Sequence, residues 1–199
     1  PNKMLFLVDG ETLIEEHVPG IPADEFMERN LTDMLEFDQT RLAKEFVKFN
    51  ERCLVRLLGD MRSYNFVIDA TPDFEATQFR IRAIDFDQQS YEGRLNLYQP
   101  QFYKENVPLI KLVMSHMNLK TIRQYRLEER SKIATRAAVS KYQLNDLLEV
   151  MEVDQLSFKR KIHQLREEMS LHFHRKEFKN CESMGQLLRQ TIKLLQERS

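Results

Sequence analysis

The 199-residue sequence has only five glycines, six prolines and two cysteines. So little glycine, beside 42% hydrophobic and 31% charged residues, excludes collagen-like, low-complexity and wholly disordered readings. Cys53 and Cys181 are too few and too far apart for a disulfide framework, so a reducing cytoplasm is the default setting. No run of roughly 18 apolar residues occurs, and the apolar start Met4-Leu5-Phe6-Leu7-Val8 stops at Asp9, which argues against a membrane span or signal peptide. The first residue is Pro rather than Met, which predicts a piece excised from a longer protein.

What is present is unevenly distributed. Residues 1–100 carry 11 Lys and Arg against 19 Asp and Glu, whereas residues 101–199 carry 19 against 12. Five of the six prolines lie in the first half, among β-branched runs and turn residues. From Val107 onward the chain reads as helices and little else.

Met4–Val8, Asp9-Gly10 and Glu11–Val18 read as strand, tight turn and strand, since Asp-Gly suits a two-residue hairpin turn. Pro19-Gly20-Ile21-Pro22 is expected to stop that sheet. Ala23–Met27 reads as a short helix with acids in its first turn. Asp38 is placed to cap a longer helix in which Leu42, Phe46, Phe49, Cys53 and Leu57 form one apolar face, ending near Gly59. Asn65–Ala70 and Phe79–Ile84 read as the strands of a second hairpin. Helices are predicted at about 104–118, 122–139, 142–152, 156–174 and 183–197 from their apolar periodicity. Met114, Met117, Met151 and Met169 are expected to fill the core.

Antiparallel strands joined by a hairpin bring their outer ends together, so Asp60 and Asn65 before the first strand should meet Asp85 and Asp87 after the second. Three carboxylates and a carboxamide in one small volume repel unless a cation joins them. Mg²⁺ is the hard cation that takes one or two carboxylates while keeping waters and phosphate oxygens. That chemistry points to phosphoryl transfer.

Gly59-Asp60 with Asn65 five positions on, and Ile84-Asp85-Phe86-Asp87 after a hairpin, resemble the protein-kinase-like superfamily. The loop motif is most similar to the aminoglycoside phosphotransferase-like kinases of small molecules. The resemblance implies Asp60 as the catalytic base and Arg62 as a cation near the transferring phosphate, with Asn65 and Asp85 holding Mg²⁺ and Asp87 assisting. It also implies that Glu16-His17-Val18 is the hinge, the Glu16 carbonyl and Val18 amide hydrogen-bonding the adenine of ATP. Residues 1–22 would then be an N-lobe remnant, 23–118 a C-lobe with catalytic and metal loops, and 119–199 a helical C-terminal extension packed on it. Most of an N-lobe is absent from the 199 residues, so a longer product or a second chain is expected to supply it.

The fold expectation is therefore α+β, mainly helical, with two β-hairpins. The functional expectation is a phosphotransferase acting on a nucleotide and an unidentified hydroxyl acceptor, and the alternative is a pseudokinase or helical interaction module without catalysis. The basic residues Lys120, Arg123, Arg126, Arg130, Lys132, Arg136 and Lys141 read as a solvated helix face rather than a nucleic-acid surface, interrupted as they are by Glu128 and Glu129. No membrane partner is expected. Apolar helical stripes left without an N-lobe favour a protein partner, a second copy of the chain among the candidates.

Overall fold

The computed structural model describes residues 4–8, 12–15, 18–31, 33–73, 76–153 and 156–197. In chain order the elements are β1 (Met4–Val8), β2 (Thr12–Glu15), β3 (Ile21–Pro22), α1 (Ala23–Asn30), α2 (Glu36–Arg56), β4 (Phe66–Pro72), β5 (Thr77–Ala83), α3 (Val107–His116), α4 (Leu119–Val139), α5 (Lys141–Val153), α6 (Lys159–Phe173) and α7 (Met184–Glu197). The architecture is α+β and mainly helical. β1 and β2 form an antiparallel hairpin, and β3-β4-β5 form a three-stranded antiparallel sheet. No described helix is long and apolar enough to cross a membrane.

The β1-β2 sheet does not extend into residues 19–22, as expected, but Ile21 and Pro22 also form the edge strand β3 of the second sheet, pairing with Ile68 and Val67. Pro22 is tolerated because an edge strand can leave one backbone position without a donor. The approach is close: a Cβ on Gly20, which sits at φ +139°, would lie 2.9 Å from Val67 Cγ2. Asp38 is not the N-cap of α2. Leu35 occupies that position and Asp38 lies in the first turn, where an acid still suits the helix dipole.

α2 ends at Arg56 rather than at Gly59. Leu57 takes the left-handed conformation with φ 49°, and the amides of Leu57 and Leu58 donate to the carbonyls of Leu54 and Cys53. This pair of bonds is the Schellman arrangement, which usually places glycine where Leu57 stands. A left-handed leucine costs about 1–2 kcal/mol. Complete burial of its side chain offsets that, at about 1.5–3 kcal/mol for a leucine.

α2 is the central element because its apolar residues recur around much of its circumference. Phe46, Phe49 and Cys53 face a core shared with α1, the β3-β4-β5 sheet and α3. Leu54 and Leu57 face a second core built with Tyr98 and the buried faces of α5, α6 and α7. Val55 joins Ala134 and Leu195 in a third. Cys53 is fully buried, as its place on the apolar face predicts, and Met169 is core. Met114 is not: it is 75% exposed, since α3 turns Leu109, Leu112 and Val113 inward instead.

The free edge of β5 is closed by side chains of α2. The Ile81 amide donates to Glu45 Oε1 at 3.2 Å, and Arg52 Nη2 donates to the Ile81 carbonyl at 3.1 Å. A strand edge satisfied in this way offers fewer unpaired groups to another chain.

Candidate functional site

The loop that follows α2 runs antiparallel to residues 88–90. Leu58 forms an isolated β-bridge with Gln89, the Gly59 amide donates to the Gln88 carbonyl at 3.3 Å, and the Ser90 amide donates to the Leu57 carbonyl at 2.7 Å. These bonds bring Asp60 toward the turn that carries Asp85 and Asp87. From the other side, Phe66 pairs with Ala83 and the Ile84 amide donates to the Asn65 carbonyl at 3.0 Å. The outer ends of the hairpin therefore meet, as antiparallel pairing requires. The 25 positions from Asp60 to Asp85 are taken up by two seven-residue strands rather than by a long hairpin loop.

Gly59 is needed for close approach. A Cβ there would lie 2.9 Å from the Gln88 carbonyl oxygen and 3.4 Å from Tyr98 Cε1. Gly59→Ala is expected to cost about 1–3 kcal/mol, the usual range for overpacking, as read by urea unfolding. A loss under about 0.5 kcal/mol would mean that the 88–90 segment yields freely.

Asp60 adopts φ +52°, a conformation that Asp and Asn tolerate better than most residues. Its carbonyl accepts from the Arg62 amide at 2.8 Å and from Asn65 Nδ2 at 2.7 Å. Its carboxylate accepts from Arg62 Nε at 2.8 Å and from Asn65 Nδ2 at 3.3 Å. Asp60, Arg62 and Asn65 are thus held together directly. Asn65 is buried and its amide nitrogen is engaged, so its side-chain oxygen is the atom left to meet a cation. The hydrogen bond to the Asp60 carboxylate raises the Arg62 guanidinium above its ordinary value, and Glu105 adds a second, longer ion pair at 3.5 Å.

Asp85 and Asp87 form the other half. The Asp87 amide donates to Asp85 Oδ1 at 3.1 Å, curling the turn so that the two carboxylates are neighbours. Desolvation by the surrounding turn raises the Asp87 carboxyl above its ordinary value, with the charge of Asp85 next and that of Asp60 a smaller contribution. The Asp87 carboxyl thus senses Asp85 within its own turn and, more weakly, Asp60 in the other loop.

Of the hinge residues, Glu16 and His17 lie outside the described residues. Val18 is half-buried and lines, with Pro19, the large groove whose wall also includes Leu58 and Phe86.

Three residues that sequence reasoning missed clamp the Asp60 loop from below. The Tyr103 hydroxyl accepts from the Asp60 amide at 3.1 Å and donates to the Leu97 carbonyl at 2.7 Å. Asn106, fully buried, donates from Nδ2 to the carbonyls of Met61 and Pro100, both at 2.8 Å. Glu105 pairs with Arg62, whose guanidinium lies 5.5 Å from the centre of the Tyr103 ring. Burial pushes the Tyr103 hydroxyl up to about 12, so it stays a neutral donor and acceptor at neutral pH. Nothing local marks these residues, because each bond spans more than 40 positions along the chain except the two to Leu97 and Pro100.

Among the described residues no group of three or more His, Cys, Asp and Glu is placed to share a metal ion. The three carboxylates expected to gather round one cation are therefore not so placed; Asp85 and Asp87 are neighbours, and carboxylates are donors of the hard type that Mg²⁺ accepts while completing its shell with water and phosphate oxygens. Desolvation is the larger cause of the raised Asp87 carboxyl, and a cation there would relieve the repulsion from Asp85 that adds to it. No family model, curated protein or solved structure matches the chain.

Proposed function

We propose that this chain carries the catalytic and metal loops of a kinase-like phosphotransferase, which moves the γ-phosphate of ATP to a hydroxyl acceptor. The observation that supports this most is the joining of the Asp60–Asn65 loop to the segment that carries Asp85 and Asp87, through the Ile84 amide on the Asn65 carbonyl and the Gly59 amide on the Gln88 carbonyl, while Asn65 holds Asp60 within its own loop. In this reading Asp60 receives the proton of the acceptor hydroxyl as its oxygen bonds to the γ-phosphorus, and the bond to the bridging oxygen of ADP breaks. Asn65 and Asp85 would hold Mg²⁺ with Asp87 assisting; the ion supplies charge neutralisation on the phosphates. Backbone atoms of Glu16 and Val18 would hold adenine, a role independent of their side chains. Arg62 must partly release Asp60 in order to face the phosphates.

The Arg62–Asp60 ion pair also favours a second reading, nucleotide binding without transfer, because a carboxylate held by a guanidinium is a weak base. Titration of Mg²⁺-ATP into the chain separates the readings when followed by an assay for ADP formed in the presence of simple alcohols. Binding weakened about tenfold or more by Asp85→Asn is the expected result. Binding with no ADP formed would leave a pseudokinase, and no binding at all would retire both.

A further inference from the structure

The groove bounded by α2, β5 and α4 has a volume of about 880 Å³, within the range of small-molecule sites. Its walls are cationic by helical geometry. Lys48, Arg52 and Arg56 are spaced by four along α2, and Lys132 and Arg136 are spaced by four on α4, so each set lies on one face of its helix. Arg80 and Arg82 of β5 complete the enclosure.

Part of that charge is neutralised within the protein. Arg52 pairs with Glu45 at 2.7 Å and Glu129 at 3.2 Å, and these are the two acids lining the groove. Lys48 pairs with Glu128 at 3.1 Å, and Arg82 with Asp69 at 3.3 Å. Arg56, Arg80, Lys132 and Arg136 have no carboxylate within salt-bridge distance among the described residues. Arg56 reaches solvent, yet desolvation by its crowded surroundings lowers it from its ordinary value, and the charges of Arg52 and Arg136 lower it further. The nearby Cys53 thiol cannot serve as counter-ion, because desolvation pushes it up to about 12 and it stays neutral. Like charges gathered in a concavity disfavour the folded chain unless an anion joins them.

We propose that this groove binds a small anion carrying two or more phosphate groups, held by Arg56, Arg80, Lys132 and Arg136. Three of these four are arginines, whose planar fork meets phosphate oxygens in pairs, and four unpaired cations call for a ligand of several negative charges. The groove's volume suits a compact molecule. Val18, Leu58 and Phe86 line the same groove, so the site adjoins the place proposed for adenine, but the cations carry it whether or not the acid loops have any activity.

The test is calorimetric titration of tripolyphosphate into the chain with chelator present, so that no divalent ion bridges the probe to Asp85 or Asp87. Saturable one-to-one binding is expected, steeply weakened by salt, lowered roughly tenfold or more in an Arg56→Gln/Arg136→Gln double variant and unchanged in Asp85→Asn. These two arginines reach solvent and hold no ion pair among the described residues, so the variant should fold; circular dichroism checks this, and Arg80→Gln/Lys132→Gln is a second variant expected to behave alike. Equal affinity in wild type and both double variants, or no saturation at millimolar probe, would overturn the proposal. So would a short single-stranded RNA that binds through these residues when tripolyphosphate does not, since the groove would then belong to a nucleic-acid surface.

Discussion

Asp60→Asn is expected to lower phosphoryl transfer by about 100- to 10,000-fold, the usual contribution of a positioned general base, while leaving the fold intact. Asparagine is the informative replacement at this position. The backbone sits at φ +52°, where asparagine is comfortable and alanine would add about 1–2 kcal/mol of strain, so Asp60→Ala confounds chemistry with stability. The amide oxygen still accepts from Arg62, and the backbone at position 60 still donates to the Tyr103 hydroxyl and accepts from Asn65. What is lost is the negative charge and the ability to take a proton. Transfer measured by coupled ADP release, beside urea unfolding, separates the outcomes. Lost transfer with stability kept within about 1 kcal/mol supports the base. Unfolding, or unchanged transfer, would show instead that Asp60 is a structural turn residue.

The largest effect on stability is expected at Glu51. This carboxylate on α2 is 1% exposed and accepts from Arg126 Nε at 2.7 Å and Arg130 Nε at 2.5 Å, tying the central helix to α4. Arg130 in turn lies 5.7 Å from the centre of the Phe173 ring on α6. Glu51→Gln keeps the shape and removes the charge, leaving two guanidiniums side by side with no neutralising partner. The expected loss is about 3 kcal/mol, at the lower end of the cost of breaking a buried pair, because Arg126 can swing partly into solvent. Replacing the acid and Arg130 together, as Glu51→Met/Arg130→Met, should recover much of it, since a buried pair exchanged for apolar side chains is often near neutral. Urea unfolding of the three proteins checks both statements. A loss below about 1 kcal/mol in Glu51→Gln would mean that the pair contributes as little as a surface one.

These two sites differ in how far they can be read from the chain alone. Asp60, Asn65, Asp85 and Asp87 stand at the ends of a hairpin whose second strand alternates plainly, so the approach of the two ends follows from local pairing rules. The clamp beneath them does not. Tyr103 and Asn106 look like ordinary polar residues in a connecting stretch, and only the path of the chain through the short 3-10 turns of residues 95–106 carries them under the loop. The basic run on α4 is a still sharper case. In sequence it is one solvated face; in space Arg126 and Arg130 are consumed by a buried glutamate, whereas Lys132 and Arg136 open onto the groove.

What the sequence by itself determined was local in origin. Apolar residues recurring every three or four positions set helices such as α2, α6 and α7, and alternation in its second strand marked the β4-β5 hairpin, because helix and strand periods are properties of a few consecutive residues. Tertiary structure alone decided that Leu57 rather than Gly59 would end α2, that Ile21 and Pro22 would join a sheet, and which cations would find acids. Each of those outcomes depends on what a distant segment offers: a cavity able to bury a leucine completely, a strand edge at the right register, a carboxylate some 75 or more residues away. Local patterning carries no term for such partners, and packing supplies it.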